Sequence, residues 1–174
     1  MADTVDKATR SRMMSAIKSK DTKPEMFLRK ALHAEGFRYR LGGYGLPGKP
    51  DLVFPSPRTV VFVHGCFWHR HGCSQFRWPG TNQEFWADKL NSNAARDCAN
   101  EKTLHNMGWL VLVVWECELK ATKYTLPNDA VLRITTALNV QSRPTLKLQV
   151  QHLLFGESVA CKRPTPTSHL RNEP

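Results

Sequence analysis

The sequence predicts an α/β domain in which a mixed sheet is flanked by helices. Two β-branched runs, "DLVF" (51–54) and "RTVVFVHG" (58–65), are joined by "PSP" and are typical of a hairpin or bent strand pair. The run "WLVLVVW" (109–115) is continuously apolar, which indicates a central strand covered on both faces. Helical patterns stand on either side of these runs, and 174 residues suffice for one buried core.

The N-terminal elements are a basic arm and then a helix. Residues 1–21 form the arm, which is part-helical around 11–19. Thr22, Pro24 and Glu25 follow the capping-box pattern and predict a helix start, and Gly36 predicts its end. The buried face of this helix is an apolar stripe, namely Leu28, Ala31 and Leu32.

Later elements follow from similar signals. Residues 37–41 ("FRYRL") alternate as a strand does, and "GGYGLPGKP" is a loop. Thr81 and Glu84 form a second capping box that opens a long helix to Asn106, with Gly108 as its stop. A last helix is predicted at 127–139. Residues 22–140 are therefore one domain, and 141–174 are a partly disordered tail with an edge strand at 146–151.

Charge restricts the class of partner. The net charge is +10 and the isoelectric point is about 9.7, which favours a polyanion such as nucleic acid over a generally basic soluble protein. No apolar run approaches the ~20 residues that cross a bilayer, and the N-terminus lacks the apolar centre of a secretory signal. We therefore expect a cytoplasmic protein without a membrane partner.

The stretch "HGCFWHRHGC" (64–73) is a candidate metal site. Thiolates and imidazoles at this spacing suit a four-coordinate structural zinc ion, although the spacing alone does not choose between its two later histidines. Ordinary buried thiols are the alternative. The candidate ligands are Cys66, His69 or His71, Cys73 and Cys117, whereas Cys98 and Cys161 are interpreted as ordinary thiols.

A candidate catalytic site begins at "KPDLVF". Many metal-dependent nucleases place such a Pro-Asp pair at the start of a strand, followed by a second acid and a lysine. Asp51 has the first half only, because no Asp, Glu or Lys occurs between it and Glu84. Histidines at 64, 69 and 71 could replace lysine in proton transfer, and a turn-forming Asp51 is the alternative. Glu25 borders a buried helix face, where capping or an i, i+4 pair with Arg29 are its alternative roles.

Aromatic and polar side chains suggest contacts with a flat, anionic partner. Phe67 and Trp68 are adjacent within a polar run, which favours stacking against such a partner over core packing. Trp86, Lys89, Asn93 and Arg96 share one helical stripe, and lysine and asparagine suit guanine and adenine edges. Core packing for Trp86 and a solvated charged face for the others are the alternatives.

The motifs together match a known family. "DKATRSRMMSAIKSKDTKPE", "LPGKPDLVF", "HGCFWHRHGC", "EFWADKL" and "GWLVLVVWECEL" span about residues 6–120. In this combination the chain closely resembles the very short patch repair (Vsr-type) DNA mismatch endonucleases of bacteria. The last third of the chain shows no assignable motif.

The resemblance implies an activity, a fold and a location. Such enzymes bind duplex DNA with a T:G mismatch, which arises by deamination of 5-methylcytosine, and nick the strand 5′ of the mismatched thymine. A restriction-endonuclease-like fold is implied for the endonuclease domain, 22–140. We expect a monomer in the bacterial cytoplasm, associated with the nucleoid, with mismatch-repair proteins as further partners.

The resemblance also implies roles for individual residues. Asp51 and the main-chain carbonyl of Val63 would bind Mg²⁺, and Val63 stands where the typical member has threonine, so only its main chain can serve. His69 would be the general base or acid, supported by Glu25 and His64, while zinc would be held by Cys66, His71, Cys73 and Cys117. The implied DNA wedge is Phe67, Trp68 and Trp86, and the implied DNA contacts are Lys89, Asn93, Arg96, Arg10, Arg12, Met14 and Ile17.

Two other functions remain open at this point. The absent second carboxylate favours a non-catalytic, zinc-stabilised DNA-binding module, which would bind duplexes without Mg²⁺-dependent cleavage. A sequence-specific restriction-type nuclease would cut matched DNA. Comparison of matched with mismatched substrates separates this last alternative from a mismatch enzyme.

Overall fold

A computed structural model describes residues 6–16, 18, 20–126 and 128–142. Ile17, the side chain of Arg10, the predicted strand at 146–151 and the rest of the tail lie outside what it describes. Within the described ranges the elements, in chain order, are α1 (Lys7–Ser15), α2 (Lys23–Ala34), a 3₁₀ turn (Gly43–Gly45), β1 (Leu52–Phe54), β2 (Thr59–His64), α3 (Gln83–Asn106), β3 (Leu110–Trp115), α4 (Glu116–Ala121) and α5 (Asp129–Gln141).

The strands form a mixed sheet, as predicted for an α/β fold. β1 and β2 are an antiparallel hairpin with Val53 opposite Val60, and β3 runs parallel to β2 with Trp115 opposite His64. The order is β1-β2-β3, so among the described strands β3 lies at an edge, and the expectation of a central strand at 109–115 is wrong in that respect. Its apolar continuity has another cause, because both of its faces are covered by hydrophobic clusters.

Helix α2 begins and ends where the sequence predicts. Thr22 is the N-cap, but its hydroxyl donates to Glu25 Oε1 (2.8 Å) and makes no cap bond to the helix backbone. The other Glu25 oxygen accepts from the backbone N–H of Asp21 (3.0 Å), the residue before the N-cap, so the helix boundaries are as predicted but the expected capping box is not formed. Gly36 follows the helix with φ +86°, a conformation that glycine adopts without steric cost.

Helix α3 differs from its prediction only at the start. Its N-cap is Asn82, which has φ +52° and makes no side-chain cap bond, so the capping box expected from Thr81 and Glu84 is wrong. Asparagine tolerates this left-handed conformation better than most residues. The predicted end at Asn106 is confirmed. Helix α5 starts two residues later than expected, where the side chain of Asn128 caps it.

The segment "FRYRL" forms less structure than its alternation predicts. Only Arg40 makes a bridge, in which it exchanges both backbone hydrogen bonds with Val53 of β1. A strand of five residues is therefore a wrong expectation. The bridge still extends the β1 edge and places the loop that follows it, including Lys49, beside the sheet.

Two hydrophobic clusters hold the sheet between helices. One joins α2, α4 and α5 to one face of the sheet and includes the fully buried Leu28, Leu32, Leu119 and Ile134. The other, on the opposite face, joins Val60 and Phe62 to Leu104 of α3. Among the described helices, none combines the length and apolar content that a bilayer crossing requires. The strand ends that carry Asp51 and His64 therefore lie on a rigid, two-sided core.

Candidate active site and metal centre

A cavity of about 470 Å³ opens where the strands meet α2 and α3. It contains most of the catalytic residues expected from the sequence, together with polar residues from α3 and from the loop before β1. Four carboxylates share it with two cations. The polar lining is Glu25, Lys49, Asp51, His64, His69, Arg96, Asp97, Asn100 and Glu101.

Asp51 is held by the hairpin that it precedes. Its Oδ2 accepts a hydrogen bond of 2.7 Å from the backbone N–H of Val63, near the far end of β2. The pKa of Asp51 is raised to about 6, and burial is the largest cause. The hydrogen bond from the Val63 N–H acts to lower this pKa, whereas the nearby Glu25 charge acts to raise it. A carboxylate in such a site is stabilised by any cation that replaces the lost water.

His69 is oriented from two directions. Its Nδ1 lies 2.7 Å from Oδ2 of Asp97, and its ring stacks on that of His64 with the centroids 3.7 Å apart and the planes 4° apart. A carboxylate at Nδ1 favours the tautomer that carries the proton there. Nε2 of His69 is then the ring nitrogen that can accept a proton from a substrate or water.

Asp97 is the site residue that the sequence reasoning missed. It lies on α3, on a buried stripe that runs through Leu90, Asn93, Asp97, Glu101 and Leu104 at spacings of three and four. Two acids between two buried leucines are unusual on a core-facing stripe, because a buried carboxylate is costly unless it has a partner. That pattern was the available signal.

Glu25 combines a structural role with a place at the cavity. Its carboxylate accepts hydrogen bonds from the Asp21 N–H, the Thr22 hydroxyl and the Arg29 guanidinium, the last at 3.0 Å. It is only 5% exposed. Of the two alternatives derived from the sequence, the Arg29 pair is formed and the capping box is not, while the same residue also lines the cavity with Asp51.

The four candidate zinc ligands come together in one cluster. One ligand atom from each of Cys66, His71, Cys73 and Cys117 lies within 4.8 Å of all the others, and Cys117 Sγ is 3.4 Å from His71 Nδ1. The structure thus puts His71 with the cysteines and His69 in the cavity. Backbone bonds from the His71 N–H to the Cys66 carbonyl and from the Cys73 N–H to the His71 carbonyl, both 2.9 Å, fold the loop into this shape.

Two of the cysteines stand at the same distance in sequence from the ends of the parallel strands β2 and β3. Cys66 stands two residues after His64, and Cys117 stands two residues after Trp115, the register partner of His64. Burial raises the pKa of Cys66 to about 12, and burial also raises that of Cys117. Thiols this close resist ionising together unless a cation offsets their repulsion, so the donor set fits a zinc ion.

The predicted wedge residues also lie together. The ring centroids of Phe67 and Trp68 are 5.1 Å apart, and Trp86 lies 5.3 and 6.0 Å from them. All three are partly exposed rather than core residues. Further rings continue the group, with Phe85 60% exposed and in contact with Trp86.

The predicted DNA-contact residues are divided between surface and interior. Lys89 is exposed, but Asn93 is only 8% exposed, and its amide donates to the Trp68 carbonyl (3.1 Å) while its oxygen accepts from Arg96 (3.0 Å). Asn93 therefore holds the wedge loop in this conformation. In the arm, Arg12 is exposed, and Met14 lines a second cavity, of about 560 Å³, beside Trp68 and His69.

Comparison with known proteins identifies the family. The family profile described as DNA mismatch endonuclease Vsr matches residues 2–75. The DNA mismatch endonuclease Vsr of Escherichia coli K12 is 47% identical over 120 residues, which cover 69% of this chain and 77% of that protein.

Two further relatives are similar over the same length. The type II nicking enzyme V.XorIIP of Xanthomonas oryzae pv. oryzae is 47% identical over 68% of this chain and 88% of its own. The type II nicking enzyme V.NmeAIP of Neisseria meningitidis serogroup A is 48% identical over 69% of this chain and 86% of its own. The chain therefore belongs to the Vsr family of DNA mismatch endonucleases and is an endonuclease that acts on DNA.

Proposed function

We propose that the protein nicks duplex DNA on the 5′ side of the thymine in a T:G mismatch, in a Mg²⁺-dependent reaction. The observation that carries the proposal is that Asp51, His64 and His69 line the same cavity, and that Trp68 of the wedge lines the neighbouring cavity with the same two histidines. A T:G pair of this kind arises when 5-methylcytosine is deaminated, so nicking would begin its repair.

The chemistry of the cavity supports a divalent cation. Four carboxylates line it, although the chain as a whole carries a net charge of +10. A phosphodiester would be repelled by those carboxylates unless a cation lay between them. Asp51 and the Val63 carbonyl would hold Mg²⁺, which keeps several waters and needs few protein ligands. When bound, Mg²⁺ supplies stabilisation of the charge on the phosphate and the leaving oxygen.

The proton transfer falls to His69. With Asp97 at Nδ1, Nε2 accepts a proton from water as that water's oxygen forms a bond to phosphorus. The bond from phosphorus to the leaving oxygen breaks in the same displacement, and the strand is nicked. His64 supports this by fixing the plane of the His69 ring, and Glu25 by fixing the N-terminus of α2 beside Asp51.

The partly exposed rings of Phe67, Trp68 and Trp86 supply the mismatch selectivity. Insertion of apolar side chains into a base stack costs a few kcal/mol per step, and less where pairing is already poor. A wobble pair is therefore opened more easily than a matched pair. Lys89, Arg96 and the basic arm, with Arg10, Arg12, Met14 and Ile17, would hold the flanking duplex; Asn93 would do so only after leaving Trp68.

Zinc is proposed as a structural ion held by Cys66, His71, Cys73 and Cys117. A closed set of four thiolate and imidazole donors is typical of structural rather than catalytic zinc. The residues between Cys66 and Cys73 are mostly only partly buried and contain no helix or strand, so metal binding would contribute free energy that packing alone does not.

The same proposal includes the fold of the domain, the oligomeric state, and the location of the protein with its partners. The mixed sheet, with Asp51 directly before β1 and further carboxylates around it on α2 and α3, supports a restriction-endonuclease-like fold for residues 22–140. We infer that the enzyme works as a monomer, since one chain supplies every group named above. Its DNA substrate supports a place at the bacterial nucleoid, in the cytoplasm, with mismatch-repair proteins as partners.

A panel of labelled duplexes tests the proposal. Duplexes with T:G, other mismatches or matched pairs, each in several flanking sequences, are incubated with protein and Mg²⁺. We expect nicking 5′ of the mismatched thymine, lost in Asp51→Ala and His69→Ala with duplex binding kept. Asp88→Ala, on the exposed surface of α3, is the matched control. Unaltered nicking in both site variants would refute the site.

The same panel tests a second candidate, sequence-directed nicking of matched DNA. Two relatives are named type II nicking enzymes rather than mismatch endonucleases, which favours this candidate. Equal rates on matched and T:G duplexes of one sequence would support this candidate. A strong preference for T:G duplexes would exclude it.

A further inference from the structure

We propose that Trp115 is a positioning residue that links the cysteine–histidine cluster to the imidazole of His69. The inference rests on the proposed function, in which His69 transfers the proton. Trp115 ends β3 and is 5% exposed, so its ring is surrounded by protein rather than solvent.

A continuous series of ring contacts runs from the cluster to the cavity. The ring of His71 stacks on that of Trp115 with the centroids 4.0 Å apart and the planes 6° apart. The indole meets the ring of His64 edge-on at 5.4 Å and 68°. His64 stacks in turn on His69 at 3.7 Å, and His69 is held at its far side by Asp97.

The backbone makes this series stiff. His64 and Trp115 are register partners at the ends of two parallel strands, and Cys66 and Cys117 stand two residues beyond them. A metal ion held by the cluster would therefore join the strand ends just beyond the two rings. The indole fills the space between a ligand ring and a cavity ring and contacts both.

Ring position matters because the proton acceptor must lie within hydrogen-bond reach of the attacking water. A displacement of about 1 Å at a reacting group can lower a rate about 10²-fold. If Trp115 is removed, His64 loses its edge contact and the His64–His69 stack can shift. The residues proposed to bind DNA, which are the wedge and the basic residues, do not belong to this series of ring contacts.

The test compares Trp115→Leu, Trp115→Phe and Trp109→Leu in zinc-loaded, full-length protein. Trp109 is the matched control, because it precedes the same strand at its opposite end and packs in the other hydrophobic cluster. Steady-state nicking of a T:G duplex gives kcat and KM, elemental analysis gives zinc content, and NMR at one fixed pH gives the imidazole ring-proton shifts of His64 and His69.

For Trp115→Leu we expect kcat to fall about 10²-fold with KM within about twofold, one zinc retained, and both imidazole shifts moved. Trp115→Phe, which keeps a ring at that position, should recover most of kcat and most of the shifts. Trp109→Leu should leave all three readouts unchanged.

Three results would overturn the positioning role. These are wild-type kcat in Trp115→Leu, a fall in kcat that matches a loss of zinc, and imidazole shifts that do not move. If Trp115→Leu does not fold, Trp115→Met, which also lacks a ring, takes its place with the same expectations, and wild-type kcat or unmoved imidazole shifts in that variant overturn the role equally. Absence of nicking by the wild type would instead refute the proposed function, and the NMR shifts would then decide the role of Trp115 alone.

Discussion

Substitution of Asp51 by asparagine is expected to abolish nicking and, in the absence of Mg²⁺, to stabilise the fold. Asparagine keeps an oxygen that can accept the Val63 N–H bond, and it has nearly the same shape. It removes the charge, and with it the proposed Mg²⁺ ligand. Activity and stability should therefore change in opposite directions, which loss of a structural residue would not produce.

The size of the stabilisation follows from the pKa of Asp51. Burial raises this pKa from 3.8 to about 6, and at about 1.4 kcal/mol per unit the charged form costs about 3 kcal/mol in the folded state. Partial exposure of the residue reduces this to roughly 2 kcal/mol. Because the folded pKa lies above the unfolded one, the cost is absent at low pH, grows as pH rises from about 4 to about 6, and is then constant.

Urea unfolding of zinc-loaded, Mg²⁺-free protein measures the effect. The stability advantage of Asp51→Asn over the wild type should be about half of its full value near pH 5 and complete by about pH 8. Asp88→Asn, at an exposed position on α3, should show no such dependence on pH. Added Mg²⁺ should stabilise the wild type and not Asp51→Asn. A constant difference across this pH range, or full nicking by Asp51→Asn, would refute the reasoning.

Three further predictions concern other parts of the site. Asp97→Asn should lower single-turnover nicking about 10²- to 10⁴-fold with duplex affinity unchanged, because the His69 tautomer is no longer fixed; a wild-type rate would contradict this. Cys117→Ser should lose stoichiometric zinc in elemental analysis and about 4 kcal/mol or more of stability in urea unfolding. An unchanged zinc content would show that the fourth ligand is a residue other than Cys117. Trp68→Ala should weaken binding to T:G duplexes by about 1–3 kcal/mol in a fluorescence titration while matched duplexes are little affected; equal losses on both would argue against a wedge.

The sequence predicts those parts of the fold that depend on local patterns. The hairpin of β1 and β2, the boundaries of α2 and the end of α3 follow from β-branched runs, caps and glycines, and all are confirmed. The start of α3 is not, because Asn82 in a left-handed conformation replaces the expected hydroxyl cap. "FRYRL" alternates like a strand but has a bridging partner only at Arg40, and a partner is a tertiary property.

In the candidate site, too, the residues within short motifs are predictable from the sequence, and those brought together by tertiary packing are not. Asp51 and the cysteine spacing are visible in the sequence because each lies within a short motif. The choice between His69 and His71 is not visible from spacing, since it depends on how the loop folds over β3. Asp97 is separated from His69 by 28 residues and reaches it only through the packing of α3 on the sheet. Sequence distance, rather than residue type, limited that part of the prediction.

The matched offsets of Cys66 and Cys117 bear on how this chain can vary in length. One residue inserted after His64 would displace Cys66 in the turn that follows β2, one inserted after Trp115 would displace Cys117 at the start of α4, and either change would separate the donor atoms. Two distant segments are therefore subject to a shared limit on insertions and deletions. The turn before α3 carries no such limit, so lengthening is expected to be tolerated there and not at the strand ends.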